Sequence, residues 1–151
     1  QRIWEPLGAE YDAYITVDKL GAPRTAGGIC TTLRDLARVG QLTLQKGHRD
    51  GVQIIPEAWF DDTINNDDRE AWLAQEPLEF LPDGCYRNKW WITGNTHGAF
   101  TVIGVYGQWL YVDPVAEMVI ATFASHPLPV DEQLSEDTVR CFHAIGETLA
   151  S

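Results

Sequence analysis

Apolar residues run almost unbroken from Phe100 to Ser125 (FTVIGVYGQWLYVDPVAEMVIATFAS), the pattern of two long strands joined by a tight turn at Asp113 and Pro114. Within it, Gly104 and Gly107 bracket Val105 and Tyr106. Glycine inside a strand marks either a bulge that bends it or a place where a ligand comes close to the backbone, and the spacing leaves both readings open. Upstream, CYRNKWWIT and a turn at Gly94 to Gly98 add a strand, so three antiparallel strands in a meander are predicted from Gly84 onward. Near the start, YDAYITVD alternates, with Tyr11, Ala13, Ile15 and Val17 on one face and Asp12, Tyr14, Thr16 and Asp18 on the other, which predicts a further strand.

Between these strands the period is helical. Thr32 with Asp35 three residues later forms a capping-box-like start for LRDLARVGQLTLQK, Gly47 closes it, and Leu33, Leu36, Ala37, Gly40 and Leu44 give it one buried stripe. Pro56 opens a second helix through Trp59 and Phe60, and the acidic segment from Asp67 to Glu70 begins a short third. The last segment starts with Asp131, Glu132, Glu136 and Asp137, which suit a helix N-terminus. It carries Val139, Phe142, Ile145 and Leu149 at helical spacing, so it covers one face of the sheet. The class is α+β.

Composition narrows the partners. The 151 residues are 44% apolar, enough for one core of ordinary size. A net charge of −11, with no cluster of Lys or Arg, disfavours nucleic acid and anionic membrane surfaces. The N-terminus has no signal-peptide character and no apolar run reaches the ~20 residues of a membrane span, so a soluble, cytoplasmic protein is expected. Cys30, Cys85 and Cys141 are odd in number and far apart, which argues for a reducing compartment and buried free thiols. His48, His97, His126 and His143 are scattered without ligand spacing, and no metal is expected.

The serines exclude a self-contained nucleophile. Ser125, Ser135 and Ser151 are the only ones, and neither S-x-x-K nor G-x-S-x-G occurs. Thr43 and Lys46 imitate the first spacing, but at the exposed end of a helix an i, i+3 pair is merely two neighbours.

The segments IWEPLGAEYDAYITVD, AGGICTTLRDLARVGQLTLQKG and VQIIPEAWFDD and the terminal hairpin resemble, in that order, the C-terminal part of serine hydrolases of the class C β-lactamase and penicillin-binding-protein superfamily. The phrase A-G-G-x-x-x-T-x-R-D-L-A-R-x-G carries most of this likeness. The KWWITG and GVYGQWLYVDP segments most resemble the 6-aminohexanoate-dimer hydrolases and their carboxylesterase-like relatives. The resemblance covers nearly the whole chain. It implies the C-terminal fragment of one β-lactamase-like domain, with residues 1–80 the remainder of a helical region and 84–151 the sheet and terminal helix.

Such enzymes are implied to use a Ser and Lys from S-x-x-K, a Tyr from Tyr-x-Asn, and a strand motif written Lys-Thr-Gly or His-x-Gly, with no cofactor. The first two lie upstream of everything seen here. Tyr86-Arg87-Asn88 has the Tyr-x-Asn spacing, but it leads into Trp90 and Trp91 and reads as a sheet residue. The strand motif falls on Val102-Ile103-Gly104, and no Lys or His precedes the glycine, which removes the cation used for β-lactam carboxylates and favours a neutral ester or amide. By resemblance, Val105 supplies a backbone oxyanion donor, Gly104 and Ile103 border the substrate, and Trp91 walls its acyl chain, the alternative for Trp91 being a core position. Tyr106 and Trp109 read as packing residues, and Asp113 as the acceptor that shapes its turn.

The implied function is hydrolysis of a linear amide or ester through an acyl-enzyme, with this chain inactive by itself. The alternative is a binding or assembly module derived from the same fold. Uncovered sheet edge and apolar surface imply that the isolated chain is unstable, associated with the missing N-terminal portion of the enzyme, or self-associated as a homodimer.

Overall fold

The computed structural model describes residues 2–25, 27–65, 68–74 and 77–151. Asp67, in the predicted start of the third helix, and Ala26, in the A-G-G phrase, lie outside the described residues. The molecule is built on an antiparallel sheet in sequential order, β5 (Cys85–Arg87), β6 (Trp90–Ile92), β7 (Phe100–Gly104), β8 (Gln108–Asp113) and β9 (Met118–Thr122), with a helix on each face.

The sheet has five strands where the apolar pattern predicted three, because each of two turns pairs a residue that favours left-handed backbone, Asn88 or Gly107, with one that seldom adopts it, Lys89 or Tyr106. Asn88 and Lys89 both adopt left-handed backbone (φ 50° and 72°), which folds CYRNKWWIT into the β5–β6 hairpin. Tyr106 and Gly107 do the same (φ 61° and 84°) and divide the stretch from Phe100 to Val112 into β7 and β8. The pairing stays in register to its end, Ile103 opposite Trp109 and Gly104 opposite Gln108, so Gly104 is not a bulge. Asp113 shapes the next turn as expected, Oδ1 accepting the Val115 and Ala116 amides at 3.0 Å each.

The strand expected over Tyr11 to Asp18 is reduced to β1 (Tyr14–Ile15), paired with β2 (Ile29–Cys30), plus a single bridge from Val17 to Pro23. Its alternation buries neither face: Tyr14, Ile15, Val17 and Ile29 are all exposed. A second two-residue pair, β3 (His48–Arg49) with β4 (Val52–Gln53), forms the link to the middle helices. Among the cysteines only Cys85 is buried; Cys30 and Cys141 are exposed, which corrects the expectation of buried thiols for these two.

Helix α1 (Leu33–Leu44) packs on one face of the sheet. Thr32 caps it, its Oγ1 accepting the Asp35 amide at 3.1 Å. Asp35 does not reach back to the cap amide as in a capping box. Fully buried, it accepts from the Thr32 hydroxyl (2.8 Å), the Glu10 and Tyr11 amides (2.9 and 3.3 Å) and Arg38 Nη1 (2.8 Å), tying the N-terminal segment to the helix. Burial pushes its carboxyl up, but these donors outweigh burial and the net shift is below the ordinary carboxylate value. Arg38 also bonds Glu10. The predicted stripe holds at Gly40, while Leu33 is exposed. At Gly40 a Cβ would sit 2.8 Å from Leu110 Cδ1 and collide with Val119, so only glycine lets the helix lie this close to β8 and β9. Gly40→Val is therefore expected to cost about 2 kcal/mol of stability, seen as a lower thermal midpoint of the folded protein.

Helix α2 (Glu57–Asn65) follows Pro56 and buries Phe60, and α3 (Arg69–Leu73) is capped by Asp68 and buries Trp72. The terminal helix α4 (Glu132–Leu149), capped by Asp131, covers the other sheet face through Val139, Phe142 and Gly146. Ile145 and Leu149 of the predicted stripe are largely exposed, because the buried face is set one position over by Gly146. A Cβ at Gly146 would collide with Asp113 Oδ2.

The two faces give two cores. Cys85, Trp90, Ile92, Phe100, Leu110 and Val112 pack beneath α1, and Trp109, Tyr111, Met118, Val139 and Phe142 beneath α4.

Candidate functional site

Strand β7 positions Ile103 and Gly104, and Val105 is the first residue of the turn beyond it. Its two edges differ. Along β8 it is paired at five positions, from Phe100 opposite Val112 to Gly104 opposite Gln108. Along β6 it is paired only at Phe100 and Thr101, so Val102, Ile103 and Gly104 keep one edge without a strand partner among the described residues. An unpaired strand edge presents amides and carbonyls to whatever lies beside it. Val105 is 56% exposed and continues that edge.

Side chains alternate along the strand. Ile103 shares its face with Thr101, and through it with Trp91, the residue opposite Thr101; Gly104 points to the α1 face. A Cβ at Gly104 would lie 2.9 Å from Gln108 Cβ, so the absent side chain also makes room for this cross-strand neighbour.

Trp91 stands on β6, half-buried between Tyr86 (ring centroids 4.3 Å apart) and Trp72 (5.8 Å, edge to face). Trp90, on the α1 face, is buried against Phe100. With helices on both sides, both tryptophans pack, where a one-sided sheet would have sent one of them outward. The Trp72 indole N–H is buried without a partner among the described residues. Tyr86 is a sheet residue on β5, as read, and Trp109 is a core residue, whereas Tyr106 sits at the turn and is 44% exposed.

Two of the three serines and one of the three lysines are engaged elsewhere. Ser135 and Ser151 donate to the carbonyls of Asp131 and Thr148. Lys46 lies between Asp61 (3.1 Å) and Glu57 (3.2 Å), which raise its pKa, and the Thr43 hydroxyl donates to Val39 O, so Thr43 and Lys46 do not act as a pair. An open cleft of about 290 Å³ lined by Arg38, Gln41, Leu42, Gln45, Arg49 and Asp50 shares no residue with the β7 edge.

Beneath α4 lies a polar cluster that no motif announced. Asp113, fully buried, accepts from or pairs with His97 Nδ1 through Oδ2 at 2.8 Å, which ties the Gly94 to Gly98 turn to the β8–β9 turn. Tyr111 OH lies 3.5 Å from Asn95 Nδ2, and burial, with Asp113 nearby, pushes its phenol well above the ordinary value. His143 of α4 lies across from Tyr111, its Nε2 buried without a partner among the described residues. Burial holds its pKa below the ordinary 6.5, against the opposing pull of Asp113 and Glu147. The folded state therefore resists a proton that the unfolded state accepts, and this contribution to stability is lost as pH falls below about 6.5. His143→Gln is expected to flatten the fall in urea midpoint between about pH 7.5 and 5.5.

Comparison with known proteins gives one consistent result. The beta-lactamase family model matches residues 1–142. The 6-aminohexanoate-dimer hydrolase of Paenarthrobacter ureafaciens is 38% identical over 127 residues, covering 84% of this chain and 32% of that protein. A solved structure from Bacillus anthracis, provisionally named a 6-aminohexanoate-dimer hydrolase, superposes with a TM-score of 0.84 at 37% identity, over 98% of this chain and 37% of that one. The chain thus spans about a third of the length of these relatives. Their mixed helix and antiparallel sheet architecture is the one described above.

Proposed function

Since the chain belongs to the beta-lactamase family, we propose that it is the C-terminal portion of a serine hydrolase that cleaves a linear amide or ester through an acyl-enzyme. The observation that carries this reading is the β7 edge, which loses its strand partner after Thr101 and runs out through Gly104 to Val105. In acyl transfer, main-chain N–H groups held on rigid elements stabilise the oxyanion of the tetrahedral intermediate. The Val105 N–H takes that role here, paired with the N–H of a serine supplied by the rest of the enzyme. Gly104 and Ile103 border the bound substrate, and Trp91 flanks its acyl chain.

The substrate class follows from two features. By resemblance, Val102 stands where the family motif has its Lys or His, so the strand offers no charge there to a carboxylate. A dimer of 6-aminohexanoate, the substrate in the relatives' name, is joined by a linear amide. The Ser, Lys and Tyr of the family motifs belong to the nucleophile-bearing portion, which is the first partner of this chain. Self-association as a homodimer is the second. Exposed Tyr11, Tyr14, Ile15, Val17, Leu20 and Ile29 form the apolar surface available to them. Free thiols and the acidic surface fit a cytoplasmic setting without nucleic acid or membrane partners, and no helix among the described residues is long and apolar enough to cross a membrane.

The test is turnover of the complete enzyme, this chain with its nucleophile-bearing portion, on nitrophenyl esters of neutral acids and on short linear amide dimers. Hydrolysis of either class with saturation kinetics supports the reading. No turnover of any member, with the chain still binding the other portion, would move it to a binding module of the same fold.

A further inference from the structure

The turn that carries Val105 is held by a strap. Tyr106 and Gly107 both sit in left-handed backbone, a conformation that a residue with a side chain seldom keeps unless its surroundings fix it. Tyr106 has an exposed ring, so its side chain is not what fixes it. Its main chain is gripped from both sides by the link between β9 and α4. The Tyr106 N–H donates to Pro129 O at 3.0 Å, and the His126 N–H donates to Tyr106 O at 3.1 Å. The His126 imidazole lies flush on Gly107: a Cβ there would be 2.8 Å from Nδ1 and closer still to Cε1 and Nε2. Gln108 Nε2 adds a contact to Ala124 O at 3.4 Å. Pro127 and Pro129 stiffen the link, fixing their own φ and disfavouring helical backbone at His126 and Leu128 before them.

We propose that Ala124 to Pro129 is a positioning strap for the oxyanion turn, with His126 its positioning residue: the imidazole seated on Gly107 fixes the Tyr106–Gly107 corner and so the aim of the Val105 N–H one residue before it. The catalytic half of this inference rests on the role proposed for Val105; the mechanical half does not. A corner free to swing would leave the substrate pocket in place and misalign only the donor that acts in the transition state, so the effect falls on kcat and not on KM.

Two readouts in the complete enzyme test it. In His126→Ala, kcat is expected to fall about tenfold with KM within about twofold, and hydrogen exchange at the Tyr106 amide to accelerate by about tenfold or more, while β8 and α4 stay protected. His126→Phe, which restores a flat ring on Gly107 without a titrating group, is expected to recover most of both. Should His126→Ala fail to fold, Pro129→Ala loosens the same strap with the imidazole kept, and is expected to accelerate the same amide. Unchanged exchange in these variants would overturn the strap. A His126→Phe enzyme as slow as His126→Ala, with exchange restored, would assign the imidazole to chemistry and overturn the positioning role. A wild type without turnover but with His126-dependent exchange would sink the hydrolase reading and its catalytic half while the strap stands.

Discussion

Replacing Val105 by proline is expected to lower kcat of the complete enzyme by about 10²–10³-fold, while Val105→Ala stays within about threefold of wild type. A main-chain donor survives every side-chain exchange except this one, because proline has no N–H to give. The position tolerates the test: Val105 does not hold left-handed backbone, and Gly104 before it is already in a strand, the conformation that proline requires of its predecessor. The loss corresponds to about 3–4 kcal/mol of transition-state stabilisation, the scale of one oxyanion donor. Steady-state kinetics on a nitrophenyl ester decides it. Equal rates in the two variants would remove Val105 from the site.

Asp113→Ala is expected to cost about 3 kcal/mol of stability, lowering the thermal midpoint by roughly 6–12 °C. The carboxylate is fully buried and serves three groups, the amides of Val115 and Ala116 and the ring of His97. Removing it leaves two turn amides and an imidazole facing a void under α4, and unmet buried donors are dearer than the average hydrogen bond. Asp113→Asn keeps one acceptor and is expected to lose less than half as much. Differential scanning calorimetry of the folded protein measures both, and a midpoint within about 2 °C of wild type in Asp113→Ala would show that these bonds carry no net stability.

Much of the fold could be read from the chain because its signals are local. Thr32, Pro56 and Asp131 announce helix starts through capping chemistry that depends on a few neighbouring residues, and α1, α2 and α4 begin where these residues place them. The strand count could not be read in the same way. Asn88–Lys89 and Tyr106–Gly107 turn the chain with left-handed backbone at Lys89 and Tyr106, residue types that seldom adopt it, and tertiary contacts hold them there: Asn88 bonds Asp62 and Thr63, and Tyr106 is gripped by the strap.

The phrase that most marked the resemblance proves to be architectural. Thr32 caps α1, Asp35 collects four donors, Arg38 pairs with it, and Gly40 admits the sheet. None of them borders the β7 edge. The candidate site itself was legible only through the resemblance, since a backbone N–H has no sequence signature. His97, Asp113 and His143 were invisible as a cluster because they lie 16 and more positions apart and meet only when α4 closes over the sheet.

This chain is expected to complete a serine hydrolase without holding its nucleophile. Intact-mass analysis after incubation with a serine-reactive phosphonate asks this directly. The predicted result is one phosphonate adduct on the nucleophile-bearing portion, formed when that portion is joined to this chain, and none on the 16.9 kDa chain by itself. An adduct on Ser125, Ser135 or Ser151 of this chain, or complete labelling of the other portion without it, would contradict the account.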